Sequence, residues 1–332
     1  MFSSKTFVVF LKNFYILKDM KKVVITGAGG QIGQQLAFKL PSLFKEEAEL
    51  VLLDLPQVTE SLTWMKMELE DCAFPFLKNI LITSSQEEAF KDATYIICVG
   101  AFPRKEGMQR SDLLLKNASI FKEQGLNIKK FAKNSVKVLV VGNPCNTNAY
   151  IVSQFLSPSQ HVFCLTTLDE LRAKASVAKS LQQLPGDIEN IFIWGNHSLT
   201  QYPYMDKALC QGNPIILDVN NKKKIIKEVR ERGALVIKTK GSSSSCSAAE
   251  SIFQATKNLF YNQGKYFSMG VISKGEYGIE EGLCFSFPCQ NIQGNIKVLE
   301  NILLNEEDMK EIKNSEEELK KERELLGNFL EK

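Results

Sequence analysis

A β-branched run, Val23-Val24-Ile25-Thr26, breaks into Gly27-Ala28-Gly29-Gly30-Gln31-Ile32-Gly33 and continues as an amphipathic stretch that stops at Pro41. Proline cannot extend a helical hydrogen-bond ladder, so the segment reads as strand, glycine turn and helix. Gly27, Gly30 and Gly33 follow a G-x-x-G-x-x-G spacing rather than the commoner G-x-G-x-x-G. Glycines between a strand and a helix let the backbone approach a pyrophosphate closely and turn the helix N-terminus toward it. A glycine-rich turn without a ligand fits the same pattern, so the next acidic residue matters. Asp54 closes the second strand-like run, Leu50-Val51-Leu52-Leu53. A carboxylate there accepts hydrogen bonds from ribose hydroxyls and repels a 2′-phosphate, which favours NAD over NADP; the bland alternative is a solvated strand-end aspartate.

From Lys21 to about Val141, short β-branched runs alternate with longer amphipathic stretches, the pattern of a parallel sheet covered by helices. Strands are expected at Lys22–Thr26, Leu50–Leu53, Ile80–Thr83, Tyr95–Val99 and Val136–Val141, and helices at Gln31–Leu40, Ser61–Cys72 and Ser111–Lys133. Beyond Val162–Leu165 the alternation loosens. A helix is expected at Leu168–Gln183, a strand at Ile191–Trp194, helices near Asn221–Arg232 and Ser245–Phe260, and hairpin-like strands from Phe267 to Phe287. The expected fold class is α/β, a doubly wound parallel sheet of Rossmann type over residues 20–166, followed by a mixed α+β catalytic domain over 167–332. Ser315-Glu316-Glu317-Glu318 reads as a capping box opening a charged final helix that docks through Leu319, Leu326 and Leu330.

Residues 1–19 stand apart. Phe7-Val8-Val9-Phe10-Leu11 is apolar but is cut by Lys12 and Asn13, too short to span a bilayer and without a clear cleavage site. They are read as an extension outside the fold, with Met20 as an alternative translation start.

With 41 basic against 38 acidic residues, a net charge of +3 gives no field that argues for nucleic acid or a membrane surface, so a small-molecule partner is expected. Eight cysteines are scattered without Cys-x-x-Cys spacing and read as buried thiols of a reducing compartment. Two histidines, His161 and His197, are too few and too isolated to suggest a metal site.

His197 follows Ile191-Phe192-Ile193-Trp194-Gly195-Asn196, an apolar run that breaks at glycine and delivers the imidazole into a loop. Proton exchange with a hydroxyl needs a group that titrates near neutrality, which histidine does untuned. His161 precedes an apolar run and reads as a strand-edge residue. In Leu168-Asp169-Glu170-Leu171-Arg172, Asp169 and Arg172 share a helix face, so one can orient the imidazole while the other offers a planar fork to a carboxylate. An isolated Asp-x-x-Arg is otherwise most often an ordinary surface ion pair. Arg104 and Arg110 lie in Phe102–Arg110, just past the strand ending at Val99, where open α/β sheets bind ligands; Gly107 lets that segment close as a lid. Added to Arg172, they suit a substrate with more than one carboxylate.

Six blocks in order, Thr26–Gly33, Met67–Ala73, Pro103–Met108, Val141–Pro144, Trp194–Ser198 and Ser268–Val271, make the sequence resemble the cytosolic-type malate dehydrogenases of the lactate and malate dehydrogenase superfamily, from Lys21 to Lys332. The resemblance implies that His197 is the proton acceptor in malate oxidation and Asp169 its partner. It implies that Arg104, Arg110 and Arg172 bind substrate, with Arg104 selecting a four-carbon dicarboxylate such as oxaloacetate. It implies that Asn143 meets substrate and cofactor and that Ser244 lines the site, although the run Ser242–Ser245 aligns ambiguously. Gly27, Gly30, Gln31, Ile32, Gly33, Asp54, Asn117, Gln124 and Val141 are the implied NAD-side positions. A cytoplasmic homodimer is implied as well.

Two departures stand out. Glu170 and Leu171 replace the usual His-Asn of the Leu-Asp-His-Asn-Arg block, and Phe102 replaces a small residue or methionine. Neither removes a catalytic group, but Glu170 alters local charge and Phe102 narrows the expected pocket. The alternatives are a lactate or other 2-hydroxy acid dehydrogenase and a catalytically silent dinucleotide-binding protein; the second should have lost a histidine or an arginine.

Overall fold

The computed structural model describes residues 20–102 and 110–330, with backbone alone for 110–112 and 328. The extension at residues 1–19 and the segment carrying Arg104 and Gly107 lie outside the described residues, as does the Arg110 side chain. In chain order the main elements are β1 (Lys22–Thr26), α1 (Gln31–Ala37), β2 (Ala48–Leu53), α2 (Thr63–Asp71), β3 (Leu77–Thr83), β4 (Tyr95–Cys98), α3 (Arg110–Phe131), β5 (Lys137–Val140), α4 (Cys145–Ser153) and β6 (His161–Cys164). There follow α5 (Thr167–Leu181), β7 (Phe192–Trp194), β8 (Tyr202–Tyr204), α6 (Val219–Lys240), α7 (Cys246–Phe260), β9 (Tyr266–Ile272), β10 (Cys284–Ile292), β11 (Asn295–Val298) and α8 (Glu306–Leu326).

Among the described residues, one nine-stranded sheet runs β11-β10-β9-β6-β5-β4-β1-β2-β3. From β6 to β3 every pairing is parallel, and β1 lies between β2 and β4, so the strand order reverses there. That reversal opens a crevice at the carboxyl ends of β1 and β4, the usual ligand position of doubly wound sheets. β1, β4 and β5 are buried on both faces, which explains their unbroken Val/Ile/Leu character. Two apolar clusters flank the sheet, one including Leu36, Leu52 and Leu139, the other Val51, Ile96 and Phe121.

The antiparallel strands join the parallel ones at a single register pair, Gly270 with Cys164. A Cβ on residue 270 would fall within 3 Å of the Cys164 Sγ, so glycine is required for the two strands to meet. The expected hairpin over 267–287 is the β9–β10 pair.

Some boundaries move. α1 ends at Ala37 and Pro41 sits in a separate 3₁₀ turn, Leu40–Leu43. α6 continues eight residues past Arg232, because Gly233 is carried inside the helix and the stop falls at Gly241, whose φ of +79° ends it. The final helix does not open at Ser315. Its capping box is Asn305 with Asp308, and Ser315 lies buried mid-helix. The Ser-Glu-Glu-Glu pattern satisfied the capping rule while its serine faces inward, and the expected docking through Leu319 and Leu326 is present. α4 is largely buried, including Cys145, Asn146, Thr147, Asn148 and Ala149, so it carries little amphipathic signal. Of the eight thiols, Cys72 and Cys246 are exposed and Cys210 half-buried, against the expectation that all are buried. His161 stands exposed at the start of β6, as a strand-edge residue should.

Candidate active site

The crevice is shaped by backbone. Gly27 has φ of +66°, and a Cβ there would lie 2.5 Å from Gly100 Cα on the neighbouring strand end. A Cβ at Gly33 would lie 2.5 Å from the Gly27 carbonyl oxygen. Both positions therefore need glycine, and the turn they form is open to close approach by a phosphate group. Asp54 Oδ2 accepts the Gly29 amide at 2.7 Å and Oδ1 accepts the Leu55 amide at 2.8 Å, so the acid at the end of β2 also fixes the glycine turn. Each oxygen retains a lone pair for a ribose hydroxyl. Gln31 is exposed at the head of α1, and Ile32 packs partly against the core. The donor set suits a dinucleotide without a 2′-phosphate.

Asn117 is fully buried on α3. Its side chain accepts from the Phe102 amide at 2.7 Å and donates to the Asn143 carbonyl at 3.0 Å. It thus pins the end of the segment after β4 to the exposed Asn143 beyond β5. The Val141 amide bonds the Cys98 carbonyl at 2.9 Å, continuing the β4–β5 pairing one step further. Gln124 is buried two helical turns along α3, and its Oε1 has no partner among the described residues.

The chemical end is a chain of polar contacts. Asp169, wholly buried at the start of α5, holds His197 Nδ1 through Oδ2 and accepts Arg172 Nη1 at 3.2 Å through Oδ1. Arg172 Nη2 then donates to Ser244 Oγ at 3.3 Å. The His197 side chain is 21% exposed and that of Arg172 14%, so both reach the cleft while their partner does not. Burial alone would lower the His197 pKa, but the adjacent Asp169 charge and hydrogen bond raise it from 6.5 to about 9. With Nδ1 engaged, Nε2 is the nitrogen left to exchange a proton with a ligand.

Several holding residues carry no signal readable from spacing. Asn146, at the buried head of α4, accepts the His197 amide at 2.9 Å and donates to the Gly195 and Cys284 carbonyls. Asn196 donates its amide to Ser315 Oγ at 2.8 Å and its side chain to Glu322 at 3.2 Å, and Glu322 also accepts from Thr147. The final helix thereby anchors the histidine loop from behind. Glu170, one of the two departures, is buried, accepts the Ser268 amide at 2.6 Å and pairs with Lys174 at 3.0 Å. It clips α5 to β9.

The two ends meet through one run. Lys240 and Ser242 reach Gln31 at 3.1 and 3.5 Å, while Ser244, two residues on, holds Arg172. The glycine turn and the histidine–aspartate pair therefore border a single cleft. A glycine turn at the end of β1, an acid at the end of β2 and a histidine held by a buried aspartate border it, the arrangement of a dinucleotide-dependent oxidoreductase.

Family models match both halves of the chain. The lactate/malate dehydrogenase NAD binding domain matches residues 21–163, and the lactate/malate dehydrogenase alpha/beta C-terminal domain matches residues 166–330; the chain belongs to the lactate/malate dehydrogenase family. It is 40% identical to cytoplasmic malate dehydrogenase of Bos taurus over 326 residues, covering 93% of this chain and 98% of that one. The malate dehydrogenase of Naegleria fowleri superposes with a TM-score of 0.86 at 36% identity, covering 93% of this chain and 98% of that chain. Trichomonas vaginalis lactate dehydrogenase, solved in complex with NADH and oxamate, superposes equally well, TM-score 0.86 at 34% identity over 93% and 99%.

Proposed function

We propose that the protein is an NAD-dependent malate dehydrogenase that interconverts (S)-malate and oxaloacetate. The observation that carries this reading is the unbroken line of contacts from Gln31 through Lys240 and the serine run to Arg172, Asp169 and His197. In malate oxidation, neutral His197 takes the C2 hydroxyl proton at Nε2, and buried Asp169 stabilises the imidazolium that forms. In oxaloacetate reduction, protonated His197 donates to the ketone oxygen. NAD, when bound, supplies the hydride acceptor of the oxidation and the donor of the reverse reaction. Arg172, held at Asp169 and Ser244, presents its remaining N–H groups to the carboxylate beside C2, and Arg104 and Arg110 are assigned to the rest of the dicarboxylate. Gly27, Gly30, Gln31, Ile32 and Gly33 are assigned to the pyrophosphate, Asp54 to the ribose, and Asn117, Gln124, Val141 and Asn143 to the nicotinamide side.

A lactate dehydrogenase is the second reading, because Trichomonas vaginalis lactate dehydrogenase has the same fold at nearly the same identity. Loss of NADH absorbance after adding oxaloacetate, then pyruvate, to the purified protein decides between them. Turnover of oxaloacetate well above pyruvate supports malate, the reverse supports lactate, and turnover of neither ends both.

The bovine relative is cytoplasmic, and cytoplasmic placement is proposed here too. A homodimer is proposed in addition: Trp64 and Met67, exposed and three positions apart on α2, offer an apolar strip that a second copy would cover. Light scattering giving twice the chain mass supports that assembly, and a monomer mass overturns it.

A further inference from the structure

Lys240 is the last residue of α6, directly before the left-handed Gly241 that ends the helix, and its side chain reaches Gln31 at the head of α1. Its ammonium donates to three oxygens: Gln31 Oε1 at 3.1 Å, the Ser243 carbonyl at 3.2 Å and Ser245 Oγ at 2.8 Å. Two of these belong to its own turn. The third belongs to the opposite wall, on the first residue of the helix that follows the glycine turn. An ammonium has three protons, so this arrangement uses all of them and fixes where the charge sits.

The glycine turn itself, Gly27–Gly33, contains no cationic residue, and α1 has no basic residue in its last turn. Two phosphate charges lying there would be met from this wall by amide groups only. Lys240 brings a full positive charge to the same place from the other wall, on an exposed side chain that a ligand can reach. The Gln31 amide oxygen is a neutral acceptor, and a phosphate oxygen is a stronger one for an ammonium. Exchange of one for the other requires movement of a flexible side-chain tip and leaves the contacts to Ser243 and Ser245 in place.

We propose that Lys240 binds the cofactor's pyrophosphate, so that the second half of the chain supplies a charge the glycine turn lacks. The serine run it anchors also contains Ser244, which holds Arg172. Seating of the pyrophosphate on Lys240 thus fixes the segment that holds the substrate-binding guanidinium. This inference rests on the assignment of Gly27–Gly33 to the cofactor.

The test is a fluorescence titration of the full-length protein with NADH, and with ADP-ribose in competition, for the wild type, Lys240→Met and Lys240→Arg. Loss of one charge-assisted contact at a solvent-accessible site should weaken Lys240→Met by about tenfold for both ligands, with Lys240→Arg recovering most of it. A change of less than twofold in Lys240→Met overturns the proposal. So does a loss for NADH without a loss for ADP-ribose, which would place the lysine at the nicotinamide half. A loss in both variants together with a lowered unfolding midpoint of the unliganded protein would make Lys240 a structural residue and also overturn it. Failure of the wild type to bind either ligand would instead strike the cofactor assignment itself.

Discussion

Asp169 holds His197 by Nδ1 across 28 positions of sequence while being wholly buried itself. Its other oxygen accepts Arg172, so one carboxylate fixes both the imidazole proposed to carry the proton and the guanidinium proposed to bind substrate. A buried carboxylate is tolerable because both oxygens are paired with cationic or proton-donating groups. The shared carboxylate couples the positions of the two side chains, so disturbing either partner disturbs both.

The pH dependence follows from that pairing. Desolvation lowers the His197 pKa, yet Asp169 more than offsets it and the value stands near 9 against 6.5 for a free imidazole. With protonated His197 as the proposed donor in oxaloacetate reduction, kcat/KM for oxaloacetate should be level below about pH 9 and fall above it. Malate oxidation needs the neutral ring and should rise toward the same pH. Asp169→Asn should move both limbs to lower pH, and unmoved profiles would remove Asp169 as the cause. Stability has the same sign: a pKa raised by folding stabilises fully below 6.5, and that contribution disappears as pH climbs through about 9.

Replacing His197 with Asn keeps the bulk of the ring's inner half and deletes the titrating Nε2. Turnover should fall by about 10²–10⁴-fold, the range of general acid–base catalysis, with NADH affinity close to wild type. Rapid-quench and fluorescence titration separate the two. Wild-type turnover in this variant would mean that some other group carries the proton.

How much of this was legible in the sequence depends on what kind of signal a residue leaves. Gly27 and Gly33 are readable because close backbone approach demands glycine, and Asp54 because an acid stands where β2 meets that turn. The pairing of His197 with Asp169 is readable because an imidazole in a loop and a carboxylate at a helix start suit one another, and the two are in contact. Asn146, Asn196, Ser315 and Glu322 are not, since their roles arise only when α4, the histidine loop and the final helix pack together. Ser315 carries a misleading signal: a serine three positions before a glutamate looks like a cap, and only burial shows that it braces Asn196 instead. The buried α4 leaves no signal for the opposite reason, having little exposed face to give it a period.

Arg104→Gln tests the source of substrate selectivity. If this guanidinium meets the carboxylate that oxaloacetate has and pyruvate lacks, its removal should cut the ratio of kcat/KM values, oxaloacetate over pyruvate, by about tenfold or more, the usual worth of a hydrogen bond to a charged group. Competition between the two 2-oxo acids in one assay gives the ratio directly. An unchanged ratio would assign selectivity to another residue.

Gly195 tests the brace behind the histidine loop. Its φ is +96°, and a Cβ there would fall within 3 Å of the Ser315 side chain. Ser315 cannot retreat freely, because its Oγ accepts the Asn196 amide at 2.8 Å. Gly195→Ala therefore combines backbone strain with overpacking and should cost about 2–4 kcal/mol, read as a lower denaturant midpoint at unchanged slope. Because His197 is two residues on, kcat should fall as well. Adding Ser315→Gly relieves the clash but not the strained φ, so the double variant should lose less than the sum of the two single losses. Strict additivity would show that the two residues do not press on one another and that the final helix does not set the position of the histidine.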